Sequence, residues 1–198
     1  MALAGVILAG GQSRRMGCDK ALLLIGGRPL VEVIAGRLRD AGLERLLLVT
    51  NTPERFAHLA DVGFETVKDA LPSGHPLTGA YSGVLHAGTP AFVCACDMPF
   101  LNPALIRYLA SLVCGADAVV PRHARGYEPL HAVYTPACLD GMRRCVARGG
   151  PTTGFLDEVR ARVVEADELR RFDPDLASFE NINTPEEYAA ALARLRPS

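Results

Sequence analysis

No stretch of this chain stays apolar for long. The longest such run, Ala2 to Ala9, is far too short to cross a bilayer and leads directly into a glycine pair. A secretory leader would need a charged start and a cleavage site around it, so neither a membrane span nor a leader is expected, and the protein reads as cytoplasmic. A basic tract is missing too. Lys and Arg number 21 against 22 Asp and Glu, for a net charge of −1, which argues against nucleic acid and against a membrane surface as partners. The six cysteines form no C-x-x-C pair, so a structural zinc site is not expected; small buried thiols in a reduced compartment are the simpler reading. Two familiar phosphate loops are absent. No Gly-Lys-Ser/Thr run makes a P-loop, and Gly10-Gly11-Gln12-Ser13-Arg14-Arg15 breaks the G-x-G-x-x-G spacing. Repeats, low-complexity segments and interdomain linkers are missing as well, and 198 residues suit one compact domain, 1–198.

What the chain does have is concentrated at Gly5 to Lys20. An apolar strand runs into Gly10-Gly11, and a polar, cationic loop ends on Lys20. Without Cβ atoms, the glycine pair lets backbone approach a ligand closely, and its N–H groups make a nest for anions. Arg14, Arg15 and Lys20 add positive charge suited to phosphate. The loop reads as a holder of polyphosphate.

Strands alternate with helices along the rest of the chain, which predicts an α/β fold with a mainly parallel sheet. Strands are expected at Leu3–Leu8, Ala21–Ile25, Arg45–Thr50, Phe64–Val67, Ala91–Cys96, Ala118–Val120 and, as an edge, Arg162–Glu165. Helices are expected from Pro29 to Gly42, with Leu30, Ile34 and Leu38 on one face, and over Pro53–Leu59, Ala80–His86, Pro103–Val113 and Pro136–Ala147. A shorter helix is expected near Thr153. Arg122 to Tyr134 reads as an extended hairpin or loop excursion. Thr184-Pro185-Glu186-Glu187 is a helix start with Thr as N-cap, Pro first and Glu third, running to about Leu195. Parallel α/β sheets bind ligands at the carboxyl ends of their strands, and the polar residues there are Gly10-Gly11, Asn51, Asp69 and Asp97. Asp97 is the first choice for a metal, since one carboxylate with substrate phosphates suffices for Mg²⁺. Asn51 and Asp69 have the donors and acceptors to read a purine edge or a ribose hydroxyl; the sequence does not say which residue does which.

From Leu8 to Lys20 the chain fits L-A-G-G-x-S-x-R-M-G-x-D-K without departure. That pattern resembles the signature of the molybdenum cofactor guanylyltransferase (MobA) family. Gly10 distinguishes it from the L-A-A-G of cytidylyltransferases for the same cofactor, and Ser13-Arg14-Arg15-Met16 from the Gly-Thr-Arg-Leu of sugar-phosphate nucleotidyltransferases. Four further segments resemble family blocks: Cys96-Asp97-Met98-Pro99, Pro76-Leu77-Thr78-Gly79, the run Gly126 to Tyr134, and Asn181-Ile182-Asn183-Thr184-Pro185.

The resemblance implies a three-layer, doubly wound α/β fold of the Rossmann-like nucleotide-diphospho-sugar transferase type. It implies transfer of GMP from Mg-GTP to the phosphate of molybdopterin or molybdenum cofactor, with pyrophosphate as leaving group and Mg²⁺ as metal, and transient contact with molybdoenzyme maturation proteins. Leu8, Ala9, Gly10, Gly11, Lys20, Asn51, Asp69, Gly79 and Asp97 would then bind GTP. Arg15, Lys20 and Asp97 would be catalytic, with Asp97 on the metal and Arg14 solvated. Asn181, Asn183 and His131 would meet the acceptor, and His123 is a second histidine in that region. The alternatives are a nucleotidyltransferase using CTP on the same cofactor or on another small phosphate, and a non-catalytic cofactor carrier.

Overall fold

A computed structural model describes residues 3–9, 20–71 and 74–195 of the chain. Ten strands and six α-helices are found among them, in the order β1 (Ala4–Leu8), β2 (Leu24–Ile25), β3 (Arg28–Pro29), α1 (Leu30–Asp40), β4 (Leu46–Val49), β5 (Phe64–Val67), α2 (Leu77–Ala87), β6 (Ala91–Ala95), α3 (Pro103–Ser111), β7 (Ala118–His123), β8 (Gly126–Tyr127), β9 (His131–Tyr134), α4 (Leu139–Arg148), β10 (Ala161–Glu165), α5 (Ala166–Leu169) and α6 (Pro185–Arg194). The main sheet runs β10-β7-β9-β6-β1-β4-β5, with β8 attached to β7. Strands β6, β1, β4 and β5 are mutually parallel, and β10 is parallel to β7. Strand β9 alone runs against both its neighbours, β6 and β7.

The pleat sends alternate side chains to opposite faces, and each face has its own core. Val6, Leu47, Val93 and Tyr134 pack with Leu77, Ala80 and Val84 of α2 and with Met142 of α4. Ile7, Leu48, Phe92 and Val133 pack with Leu30, Ile34 and Leu38 of α1 and with Leu105 and Leu109 of α3. Helices on both faces bury strands β1, β4 and β9 along their whole length, which is why these strands read as continuous apolar runs or short segments rather than as alternating patterns. Helix α2 lies close against β1. A Cβ on Gly83 would come within 2.3 Å of Val6 Cγ1, and one on Gly79 within 3.3 Å of Leu8 Cδ2, so glycine at both positions permits that approach.

Helix starts follow local chemistry. The Asn102 side chain accepts the N–H groups of Ala104 and Leu105 at 2.9 and 3.2 Å, with Pro103 first in α3. Thr184 and Glu187 form a reciprocal capping box around Pro185, as the sequence predicts.

Three expectations need correction. Ala21–Ile25 is not a strand: Lys20–Leu22 winds into a 3₁₀ turn and only Leu24–Ile25 is extended, paired with Arg28–Pro29 in a two-strand ribbon. Pro29 therefore ends a strand and caps α1 rather than opening it. The excursion from Arg122 to Tyr134 does open on a hairpin, Arg122 and His123 pairing with Tyr127 and Gly126, but it does not stay outside the sheet: His131–Tyr134 enters the centre of the main sheet.

Candidate functional site

Four parallel strands end on one rim. Strand β1 ends at Leu8, and the ladder extends just past it through Ala9 N–H to the Val49 carbonyl (2.9 Å) and Cys96 N–H to the Leu8 carbonyl (3.1 Å). Two residues beyond β4, β5 and β6 stand Asn51, Asp69 and Asp97. Gly10, Gly11, Arg14 and Arg15 lie outside the described residues.

At the middle of the rim three distant segments converge. Lys20 Nζ donates to Asp97 Oδ2 at 2.9 Å and to Asn183 Oδ1 at 2.7 Å. The Lys20 and Asp97 side chains are each 16% exposed, so the pair is sheltered yet reachable. The 3₁₀ turn at Lys20–Leu22 aims the lysine inward, which explains why this stretch does not continue as a strand. Asn183 is held by its own helix start: Glu187 Oε2 accepts the Asn183 N–H at 2.6 Å and the Thr184 N–H at 3.0 Å, while Thr184 Oγ1 accepts the Glu187 N–H at 3.2 Å. The Ile182 N–H donates to the Asp97 carbonyl at 2.9 Å, and the Tyr188 hydroxyl donates to the Leu24 carbonyl at 2.5 Å. The start of α6 is thereby pinned to both the Asp97 turn and the Lys20 turn. Asn181 is exposed, one residue before the buried Ile182.

Further along the rim, Asn51 and Asp69 bind each other. Asn51 Nδ2 donates to Asp69 Oδ2 at 2.7 Å, and the Asp69 N–H donates to Asn51 Oδ1 at 3.4 Å. Behind them Ser82 Oγ accepts the Ala70 N–H at 2.9 Å. Sequence reasoning passes over Ser82. Its only signal is a hydroxyl on the buried side of an apolar helix, four residues after Thr78.

His131 does not reach the acceptor-facing surface. It is fully buried on β9, edge-on to Phe92 (ring centroids 5.0 Å) and to Phe179 (4.7 Å), and neither ring nitrogen has a partner. Burial pushes its pKa down to about 3, so it stays neutral. Cys94, its neighbour across the ladder, is buried as well, and burial raises its thiol pKa. Phe179 also packs against His123 (5.1 Å), whose Nε2 lies 2.7 Å from Glu128 Oε1. These rings brace the segment that leads to Asn183 from below.

A hard carboxylate at the end of β6 suits a divalent cation such as Mg²⁺, which keeps several waters and takes one or two carboxylates along with substrate phosphates. No cluster of three or more His, Cys, Asp or Glu that could hold a metal ion is found among the described residues.

This sheet order is that of the Rossmann-like nucleotide-diphospho-sugar transferase fold. The crystal structure of 4-diphosphocytidyl-2C-methyl-D-erythritol synthase from Anaerococcus prevotii shares it at a TM-score of 0.72 and 14% identity, with 98% of each chain covered. The chain belongs to the MobA-like NTP transferase domain family, whose model matches residues 5–163. It resembles molybdopterin-guanine dinucleotide biosynthesis protein A from Archaeoglobus fulgidus, with a TM-score of 0.81 and 26% identity over 97% of this chain and 98% of that one. Among sequence relatives, a probable molybdenum cofactor guanylyltransferase from Natronomonas pharaonis is 37% identical over 201 residues, or 96% of this chain and 97% of its own length. A molybdenum cofactor guanylyltransferase from Desulfosudis oleivorans is 35% identical over 201 residues, or 98% and 96%.

Proposed function

We propose that the protein transfers GMP from GTP to the terminal phosphate of molybdopterin or molybdenum cofactor, forming the guanine dinucleotide and releasing pyrophosphate. The observation that carries this reading is the convergence of Lys20, Asp97 and Asn183 on the rim that also holds Asn51 and Asp69. The attacking group is a phosphate monoester, whose second pKa near 6 leaves it largely dianionic at neutral pH. No general base is required; the task is to neutralise and align several anionic groups.

Lys20 has the charge and the position for the phosphates. Its ammonium rests on Asp97 and Asn183, and phosphate oxygens would take it from the carboxylate while the Asn183 amide keeps it oriented. Asp97 would hold Mg²⁺, which when bound supplies positive charge to the phosphate oxygens. Asn51 and Asp69 would grip the nucleoside through their remaining donors and acceptors. Arg15 would add charge beside the triphosphate, and Asn181 and Asn183 would border the acceptor.

The test is pyrophosphate release with molybdopterin and Mg²⁺, run in parallel with GTP, CTP, ATP and UTP. Release with GTP alone is expected. Release with CTP alone would keep the reaction class and overturn the base assignment. Binding of GTP without release would mark the protein as a carrier.

A further inference from the structure

The nucleoside end of the rim depends on a residue that cannot touch the ligand. Ser82 is completely buried on α2, one residue before Gly83, where the helix is pressed hardest against β1. Its hydroxyl carries one proton and two lone pairs. The proton goes to the Thr78 carbonyl, 2.8 Å away, and a lone pair accepts the Ala70 N–H at 2.9 Å. Asp69 Oδ1 lies at 3.5 Å, too far to compete with Thr78 for the proton. Asp69 is therefore located from two sides, by Asn51 on its Oδ2 and by Ser82 through the next peptide. Its Oδ1 remains an open acceptor. The same hydroxyl also joins the Asp69–Ala70 turn to the first turn of α2, where Gly79 packs on Leu8. Because α2 is seated on β1 through Gly79 and Gly83, Ser82 refers the position of Asp69 to β1.

We propose that Ser82 is the positioning residue for nucleotide binding: it fixes the open acceptor of Asp69 relative to the Lys20–Asp97 centre. This rests on the reading that Asn51 and Asp69 meet the nucleoside of GTP. Removing the hydroxyl leaves the Ala70 N–H without its partner, and the turn relaxes to find another. Affinity for the nucleotide falls, while the Lys20–Asp97–Asn183 centre, held by the Lys20 bonds to Asp97 and Asn183, keeps its geometry.

The experiment is a double-mutant cycle read by steady-state pyrophosphate release with GTP, molybdopterin and Mg²⁺, using Ser82→Ala, Asp69→Asn and the double variant, with thermal melts to establish folding. Ser82→Ala is expected to raise the KM for GTP about 10-fold with kcat within about twofold of wild type. Asp69→Asn is expected to raise KM by a similar factor, and the double variant by little more than either alone, because both act on one carboxylate. Multiplying effects, or an unchanged KM in Ser82→Ala, would overturn the role of Ser82. An unchanged KM in Asp69→Asn would instead overturn the reading of the nucleoside site. If Ser82→Ala does not fold, Ser82→Cys keeps the volume with a weaker acceptor; an intermediate KM supports the proposal and a wild-type KM rejects it.

Discussion

The two parts of the rim are built on different plans. At one end, Asn51 and Asp69 sit 18 residues apart at the ends of neighbouring parallel strands and bind each other directly. At the other, Lys20 meets partners 77 and 163 residues away, and each partner arrives on a separate device: a strand end for Asp97 and a capped helix start for Asn183. The first part is a consequence of sheet topology, and any parallel pair with polar residues past its ends would make something like it. The second exists only when three remote segments are docked. The first is thus suited to holding a ligand and the second to responding to one, since an ammonium shared between a carboxylate and an amide can be drawn off by a competing anion.

Substitutions separate the two parts by what they change. Asp97→Ala should have the largest effect, a loss of kcat of about 1,000-fold or more, on the order of 4 kcal/mol, with folding retained in a thermal melt. Turnover within tenfold of wild type would remove Asp97 from the chemistry. Lys20→Met should cost roughly 100-fold in kcat with a smaller change in KM for GTP. It should also let Mn²⁺ bind the nucleotide-free protein more tightly, because Asp97 loses its internal cation. Equal Mn²⁺ affinity, measured by electron paramagnetic resonance, would mean that the ammonium does not compete for that carboxylate. At the other end, Asn51→Ala should raise the KM for GTP about 10-fold and leave kcat nearly unchanged; a matching fall in kcat would dissolve the distinction between the two ends.

The smallest effect on turnover belongs to His131, beneath both. Folded, it stays neutral down to about pH 3, whereas in the unfolded chain it takes a proton below about 6.5. The unfolded state therefore binds the extra proton, and stability falls as pH is lowered through that window. Relative to wild type, His131→Leu should gain about 2 kcal/mol in unfolding free energy between pH 7 and pH 5, followed by urea titration, with kcat at pH 7 unaltered. Parallel pH profiles for the two proteins would show that burial does not hold the imidazole neutral.

Much of this was legible in the chain, for identifiable reasons. Phe64–Val67 and the Thr184 capping box are local signals, and both occur where the sequence places them. Asn51, Asp69 and Asp97 follow from one rule, that polar residues just past parallel strands share an edge. Their partners were not legible. That Asn51 pairs with Asp69, and Lys20 with Asn183, depends on how far each strand reaches and on which way a turn winds. Strand β9 escaped because four residues beginning with histidine carry no usable period, and its burial comes from β6 and β7, which flank it only after the sheet closes. His131 was expected at the acceptor from the family resemblance, and its burial on β9 was illegible on the same ground. The rings that enclose it, from Phe92 and Phe179, lie far from it in sequence.

The insertion of β9 also has a consequence for the order in which the molecule can be completed. As the chain is synthesised, β1, β4, β5 and β6 can pair, and with them the Asn51–Asp69 end is in place. The strand that carries Asp97 still has a bare edge then, because its other neighbour, His131–Tyr134, follows β7. Unpaired edges are templates for pairing with other chains, so this interval is where a half-made copy is most exposed to aggregation. Asn183 emerges later still, and only then does Lys20 have both of its partners. A ribosome-bound intermediate stalled before that residue would hold the Asn51–Asp69 pair with the Lys20 centre unassembled, so the two ends of the rim are separated in time as well as in space.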